Sequence, residues 1–148
     1  ILYIIREMLD FKPESKRTDV KQALEFLSSI MKRHCTAFIL SDFYTQRDFL
    51  HPLTICNRRH DVVAIQVYDR RAKELPDVGL MKIMDAETGH EQYVDTGSKR
   101  VRDAYRLYWT KRQALLMETF NKSQVDNVSI ATSDDFVKSL LFLFKQRS

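Results

Sequence analysis

The chain has 148 residues, of which 44% are hydrophobic and 30% charged, a balance typical of a globular domain with one core. Its three Gly and three Pro argue against a long disordered linker, and no apolar run reaches the roughly 18 residues that span a bilayer. The two cysteines, Cys35 and Cys56, lack zinc-site spacing and indicate reduced thiols, so we expect a cytoplasmic protein.

The formal net charge is +4, and the basic residues occur in short clusters. The clusters include Lys32-Arg33, Arg58-Arg59-His60, Arg70-Arg71 and Lys99-Arg100. Such clusters can bind nucleic acid, but they are equally typical of solvent-exposed helix ends. Because no predicted helix carries a continuous basic stripe, we do not expect nucleic-acid binding.

The apolar pattern predicts alternating helices and strands in the first half of the chain. In chain order they are a helix over 1–10, a polar loop over 11–18, a helix over 19–33, a strand over 36–41, a helix over 46–58 and a strand over 62–68. Thr36–Leu40 is continuously apolar, which predicts a strand buried on both faces. Strand, helix and strand with short links indicate a right-handed βαβ unit of a parallel sheet.

The second half predicts an inserted β-hairpin over about 79–96, with Gly89 at a turn position that needs a positive φ. A long helix over 98–122, a strand over 126–131 and a final helix capped by Ser133 follow. The long helix carries an aromatic and apolar stripe around Trp109, which favours core packing over a partner surface. The predicted fold class is therefore α/β, with three mainly parallel strands and flanking helices.

The start of the chain suggests that part of the domain is missing. Ile1 is not Met, and the first apolar residues already have helical spacing. We expect a single truncated domain over residues 1–148 that lacks its N-terminal strands. The strand over 36–41 then loses a neighbour, and because a bare apolar edge is a template for strand pairing, we expect self-association through that edge.

The candidate site lies where the first predicted strand ends. Ligands of open α/β sheets bind at the carboxyl ends of the strands, and Ser41 and Asp42 occupy such an end. Thr18 precedes the helix that leads into this strand, so we expect it on the same rim. One carboxylate and two hydroxyls form a plausible half-site for Mg²⁺, which prefers hard oxygen ligands. The alternative is structural: Thr18 caps its helix and Asp42 caps the following loop.

Other reactive residues favour structural roles. His34 and Cys35 are neighbours in an extended segment, where side chains point to opposite faces, so cysteine catalysis is not expected. His60 and Asp61 are better explained as a polar entry to a buried strand than as part of a catalytic triad.

Several segments resemble the domain-of-unknown-function family fifty-eight over the whole chain. They include residues 16–27 (KRTDVKQALEFL), 38–43 (FILSDF), 59–65 (RHDVVAI), 74–80 (ELPDVGL) and 85–89 (DAETG). The resemblance implies a von Willebrand factor A-like, Rossmann-like fold with a metal-ion-dependent adhesion site made of three loops. It assigns a Thr of the second loop to Thr18 and an Asp of the third to Asp42, while the Asp-x-Ser-x-Ser motif of the first loop is absent.

The resemblance also implies a partner, because members of this family are often encoded beside AAA+ ATPases of the MoxR type. The first functional hypothesis is therefore a non-enzymatic interaction module with a partial metal site at Thr18, Ser41 and Asp42. Mg²⁺ is the expected cofactor of the intact protein, and none is expected to be bound by this chain alone. The alternative is a metal-dependent hydrolase or phosphotransfer enzyme that uses Asp42, which needs further polar groups converging on that residue.

Overall fold

The computed structural model describes residues 1–12, 18–85 and 88–147. Its helices are α1 (Leu2–Asp10), α2 (Val20–Ile30), α3 (Leu50–Arg59), α4 (Lys99–Ser123) and α5 (Phe136–Arg147), with a short 3-10 helix at Arg70–Lys73. Its strands are β1 (Thr36–Ser41), β2 (Asp61–Tyr68), β3 (Leu80–Met84), β4 (Glu91–Asp95) and β5 (Asp126–Ala131). The chain is thus a mixed α/β protein, as the apolar pattern predicts.

A parallel sheet and a separate hairpin make up the strand structure. β1, β2 and β5 form a sheet in the order β1-β2-β5, and both pairings are parallel. β3 and β4 form an antiparallel pair, with Gly89 in their turn at φ +70°. These findings confirm the predicted parallel sheet and the inserted hairpin.

The hydrophobic core lies on both faces of β2. Residues Val62 to Gln66 are all buried, because helices cover the central strand from both sides. The larger cluster packs Val62 and Ala64 against α2, α3 and α4, and a smaller one packs Val63 and Ile65 against Leu143 of α5.

β1 differs from its prediction as a strand buried on both faces. Its residues alternate between exposed and half-buried, with Phe38 47% and Leu40 66% exposed. The reason is that β1 lies at the edge of the sheet. Helix α5 contacts it through the edge-to-face packing of Phe144 on Phe38. The outer edge of β1 has no paired strand within the described residues, and self-association through it stays a prediction.

Three helix starts differ from the sequence-based positions. α2 is capped by Asp19, whose carboxylate accepts the backbone N–H of Gln22 at 3.0 Å, and not by Thr18. α3 begins at Leu50, four residues later than predicted, because residues 46–49 belong to the loop after β1. Asp135, not Ser133, caps α5 by accepting the N–H of Val137.

The stripe around Trp109 on α4 is mostly not core, which corrects the favoured interpretation. Leu116 is buried, but Leu107, Tyr108 and Leu115 are at least half exposed, and Trp109 is half-buried against Tyr68. The buried part of α4 is its second half, where Phe120 enters the larger cluster. The first half of α4 therefore leaves aromatic side chains accessible beside the sheet.

Within the described residues, no helix is long and apolar enough to cross a membrane.

Candidate functional site

A groove of about 870 Å³ lies at the carboxyl ends of the parallel strands. Its wall is formed by the loop after β1, from Asp42 to Phe49, by the end of β2 and by Thr132 after β5. The first half of α4 closes the other side with Tyr105, Tyr108 and Trp109. Asp42 thus lines this groove, and Ser41 directly precedes it at the carboxyl end of β1, as the rule for open α/β sheets predicts.

The loop after β1 is held by its own side chains. The Ser41 hydroxyl accepts the N–H of Phe43 at 2.9 Å, and Asp42 Oδ1 accepts the N–H of Tyr44 at 2.9 Å. Phe43 adopts φ +54°, a left-handed conformation that costs free energy for a non-glycine residue. Its side chain is buried against Phe120, with ring centroids 5.1 Å apart, and this packing offsets the backbone strain.

Arg112 of α4 fixes the loop from the groove side. Its Nη2 donates to the carbonyl of Phe43 at 3.1 Å and more weakly to that of Thr45 at 3.5 Å. Its guanidinium lies 3.9 Å from the centroid of the Tyr44 ring, which is within cation–π range. Arg112 was not predicted, although its position four residues after Tyr108 places both side chains on one helix face.

Tyr44 and Tyr108 form a polar pair at the mouth of the groove, with their hydroxyls 3.5 Å apart. The hydrogen bond to Tyr108, together with burial, raises the pKa of Tyr44 to about 12. The same hydrogen bond lowers the pKa of Tyr108, because Tyr44 as donor stabilises the Tyr108 phenolate, and Arg112 lowers it further. Tyr108 is therefore the first of the two to ionise.

Replacing Tyr108 by Phe is expected to lower the pKa of Tyr44 from about 12 toward the ordinary value of about 10. The acceptor that holds the Tyr44 proton is lost, while partial burial keeps the pKa slightly above that value. Alkaline titration followed by the ¹³Cζ signals of labelled tyrosines measures the change. Tyr93→Phe in the exposed β4 serves as the control, and an unchanged Tyr44 in Tyr108→Phe would contradict the pairing.

Thr18 lies next to a residue that ties α2 to the same rim. Asp19, which caps α2, forms an ion pair with Arg47 in the loop after β1, with Arg47 Nη1 2.6 Å from Asp19 Oδ2. The start of α2 and the loop that contains Asp42 are therefore in contact. Asp42 is exposed, while Ser41 and Thr18 are half-buried.

The metal that the resemblance implies finds a suitable donor type here but not a complete site. The Asp42 carboxylate and the hydroxyls of Ser41 and Thr18 are hard oxygen ligands of the kind that Mg²⁺ prefers. However, no group of three or more His, Cys, Asp or Glu side chains in the described part of the chain is placed to hold a metal ion. Asp42 Oδ1 and the Ser41 hydroxyl are also engaged in the loop. These residues alone do not make a magnesium site.

A buried polar network that the sequence analysis missed supports the floor of the groove. Gln66 of β2 exchanges two hydrogen bonds with the side-chain amide of Gln113 on α4, at 3.1 and 2.7 Å. The Ser129 hydroxyl of β5 donates to the same Gln66 carbonyl oxygen at 2.7 Å. A polar residue within the apolar run of residues 62–67 was the available signal, because a buried amide needs partners.

Cys35 and His60 lie away from this rim. Cys35 contacts His60 at the amino end of the sheet, with Sγ 3.5 Å from Nδ1, and both cysteines are free thiols. Burial raises the pKa of the Cys56 thiol, which favours its neutral form. Asp61 faces Arg147 and Thr36, not His60, so the described contacts form no triad.

Comparison with known proteins places the chain in a family. Residues 1–114 match the model of a family described as Protein of unknown function DUF58. The chain belongs to the DUF58 family. This confirms the family resemblance read from its motifs. Within DUF58, the chain is 30% identical over 137 residues to the uncharacterized protein MAV169 of Mycobacterium avium, covering 91% of this chain and 79% of that protein.

Two further relatives are longer than this chain. The uncharacterized proteins Rv1480 of Mycobacterium tuberculosis and Mb1516 of Mycobacterium bovis are each 30% identical over 131 residues. The match covers 87% of this chain but only 40% of either relative. No solved structure matches the chain significantly.

Proposed function

We propose that this DUF58 chain is a non-enzymatic protein-interaction module that binds its partner at the carboxyl rim of the parallel sheet. The observation that carries the proposal is the exposed Asp42, held by a defined turn at the mouth of the 870 Å³ groove. Arg112 and Phe120 already fix this loop, so little conformational entropy is lost when a partner binds. The aromatic side chains of α4 supply contact area of the kind enriched at interfaces.

The proposal extends to a von Willebrand factor A-like organisation with a partial metal-ion-dependent adhesion site. Thr18, Ser41 and Asp42 would contribute oxygen ligands to Mg²⁺ in the full-length protein, with the remaining ligands outside the described residues. The proposed partner is an AAA+ ATPase of the MoxR type. This part rests on the motifs that resemble the family and on the contact between the start of α2 and the Asp42 loop.

The enzyme alternative is less well supported by the groups around Asp42. An acid–base or nucleophilic mechanism needs a second group within hydrogen-bond reach of the reacting atoms. The hydrogen bonds of Ser41 and Asp42 go to backbone N–H groups of their own loop, which stabilise the turn. We therefore propose binding in preference to hydrolysis or phosphotransfer.

Asp42→Asn is expected to abolish metal-dependent partner binding while the fold is retained. Asparagine can still accept the N–H of Tyr44, so the turn persists, but the negative charge is lost. Titration of the full-length protein with MgCl₂ and MnCl₂ in a calorimeter, followed by capture of the MoxR-type ATPase with and without metal, measures the effect. We expect at least a tenfold loss of affinity, which is about 1.4 kcal/mol.

The matched control is Asp103→Asn, which removes one carboxylate from an exposed site on α4. This variant should bind metal and partner as the wild type does. If Asp42→Asn retains both affinities, the adhesion-site proposal is wrong. If partner capture depends on Asp42 but not on metal, the interaction module stands and the Mg²⁺ part of the proposal fails.

A further inference from the structure

A basic surface lies at the opposite, amino end of the sheet. α2 ends at Ile30 and α3 at Arg59, and the segments that follow them enter the adjacent parallel strands β1 and β2. The two segments are in contact, because the N–H of Asp61 donates to the carbonyl of Cys35 at 2.9 Å. Arg59 also reaches the carbonyl of Ser28 on α2. The parallel pairing thus brings two basic clusters, distant in sequence, to one place.

We call this surface the basic rim, defined as Lys32, Arg33, Arg58 and Arg59. All four side chains are exposed, and none forms a salt bridge with the described acidic residues. The adjacent carboxylate of Asp61 is paired with Arg147. Four exposed cations therefore lie together on one rim.

Helix electrostatics explain only half of the basic rim. Arg58 and Arg59 lie in the last turn of α3, where cations stabilise the negative end of the helix dipole. Lys32 and Arg33 lie beyond the end of α2, which has no basic residue in its last turn. These two therefore have no stabilising role in the described contacts.

Exposed apolar side chains accompany the basic rim. Phe26 and Ile30, which are 63% and 54% exposed, lie four residues apart on one face of α2, and Ile30 is two residues before Lys32. Ile55 is exposed one turn before Arg58 and Arg59 on α3. A surface that combines basic heads with protruding Phe and Ile side chains has the composition of a bilayer-interface contact.

We propose that the basic rim binds the surface of an anionic lipid bilayer, with Phe26 and Ile30 entering the headgroup region. Lys and Arg near such a surface are attracted by its negative potential, and the apolar side chains gain by leaving water. Nucleic-acid phosphates or an acidic protein segment would also attract the charges. Nucleic-acid phosphates, however, would bind only the basic side chains and would leave Phe26 and Ile30 without a contact. This surface lies at the end of the sheet away from Asp42 and does not depend on the proposed function.

The test uses vesicles of phosphatidylcholine alone and of phosphatidylcholine with phosphatidylglycerol in equal parts, with binding measured by vesicle flotation. We expect the double variant Lys32→Gln/Arg33→Gln to lose roughly 25-fold in affinity for the mixed vesicles, or about fivefold per side chain. Lys99→Gln/Arg100→Gln removes the same charge at the start of α4 and should bind as the wild type does. Binding to phosphatidylcholine alone measures the contribution of the exposed apolar side chains without lipid charge, those of Phe26, Ile30 and helix α1 together.

A second variant separates lipid from other polyanions. Phe26→Ser/Ile30→Ser is expected to weaken binding to the mixed vesicles by at least tenfold, because the inserted apolar area is lost. The same variant should not change the residual, salt-dependent binding to duplex DNA. The proposal is overturned if both charge variants lose equally, if the serine variant binds vesicles unchanged, or if wild type binds duplex DNA or polyglutamate more tightly than the mixed vesicles. Asp42→Asn should bind vesicles normally.

Discussion

Replacing Phe120 by Ala is expected to lower the free energy of unfolding by about 3–5 kcal/mol, the largest effect of any substitution considered. Phe120 is fully buried in the larger core cluster, where it packs edge-to-face against Phe43. Truncation removes that aromatic contact and leaves a cavity which close-packed neighbours fill only in part. Urea denaturation followed by circular dichroism measures the loss.

The same substitution should also loosen the candidate site. Phe43 holds a strained φ of +54° through its packing, so the loss of Phe120 removes one reason for the loop to keep its shape. Leu115→Ala is the control on the same helix, because Leu115 is 64% exposed, and it should cost less than about 0.5 kcal/mol. Equal losses in the two variants would contradict this description of the core.

The parallel sheet was predictable because its central strand is buried on both faces. The run Val62–Val67 is apolar except for Gln66, and flanking turn residues limit its length. β1 gives a similar apolar run but lies at the edge, with Leu40 exposed. An apolar run therefore predicts a strand, but the position of that strand in the sheet depends on partners elsewhere in the chain.

The candidate site was predictable only in part. The position of Asp42 follows from the rule that loops at strand carboxyl ends carry function, and this needs only the strand boundary. Arg112 and Tyr108 come from a helix more than 60 residues later, and no local pattern links them to Asp42. The sequence predicted Thr18 as the N-cap of α2, but the cap is Asp19. Both side chains can cap a helix, and because the two residues are adjacent, the sequence does not show which of them does so.

The two ends of the sheet differ in what they offer a partner. The carboxyl rim presents a preformed groove with aromatic walls and mixed charge, which suits a specific protein contact. The amino rim presents exposed cations without salt bridges at two helix ends, which suits a diffuse anionic surface. If both proposals hold, a membrane-bound chain would turn its Asp42 groove away from the lipid, toward a partner in solution.

Gln66→Leu is expected to lower the free energy of unfolding by about 2–3 kcal/mol, although leucine suits a buried strand position. Gln66 is 2% exposed, and two of its three side-chain hydrogen bonds are exchanged with Gln113. The leucine leaves the half-buried Gln113 amide without a partner and deprives the Ser129 hydroxyl of its acceptor. Ser129 is exposed, so water replaces the hydrogen bond that its hydroxyl loses. Most of the lost stability therefore comes from the unsatisfied side-chain amide of Gln113.

The double variant Gln66→Leu/Gln113→Leu tests this cause directly. Removing both amides eliminates the unsatisfied group, so about half or more of the lost stability should return. Urea midpoints of the wild type, the two single variants and the double variant give the coupling free energy, with Ser129→Ala as a control that costs about 0.5 kcal/mol or less. If the double variant is as unstable as the sum of the singles, the amide pair is not a coupled unit. In that case, apolar packing between β2 and α4 would by itself fix the position of the groove floor.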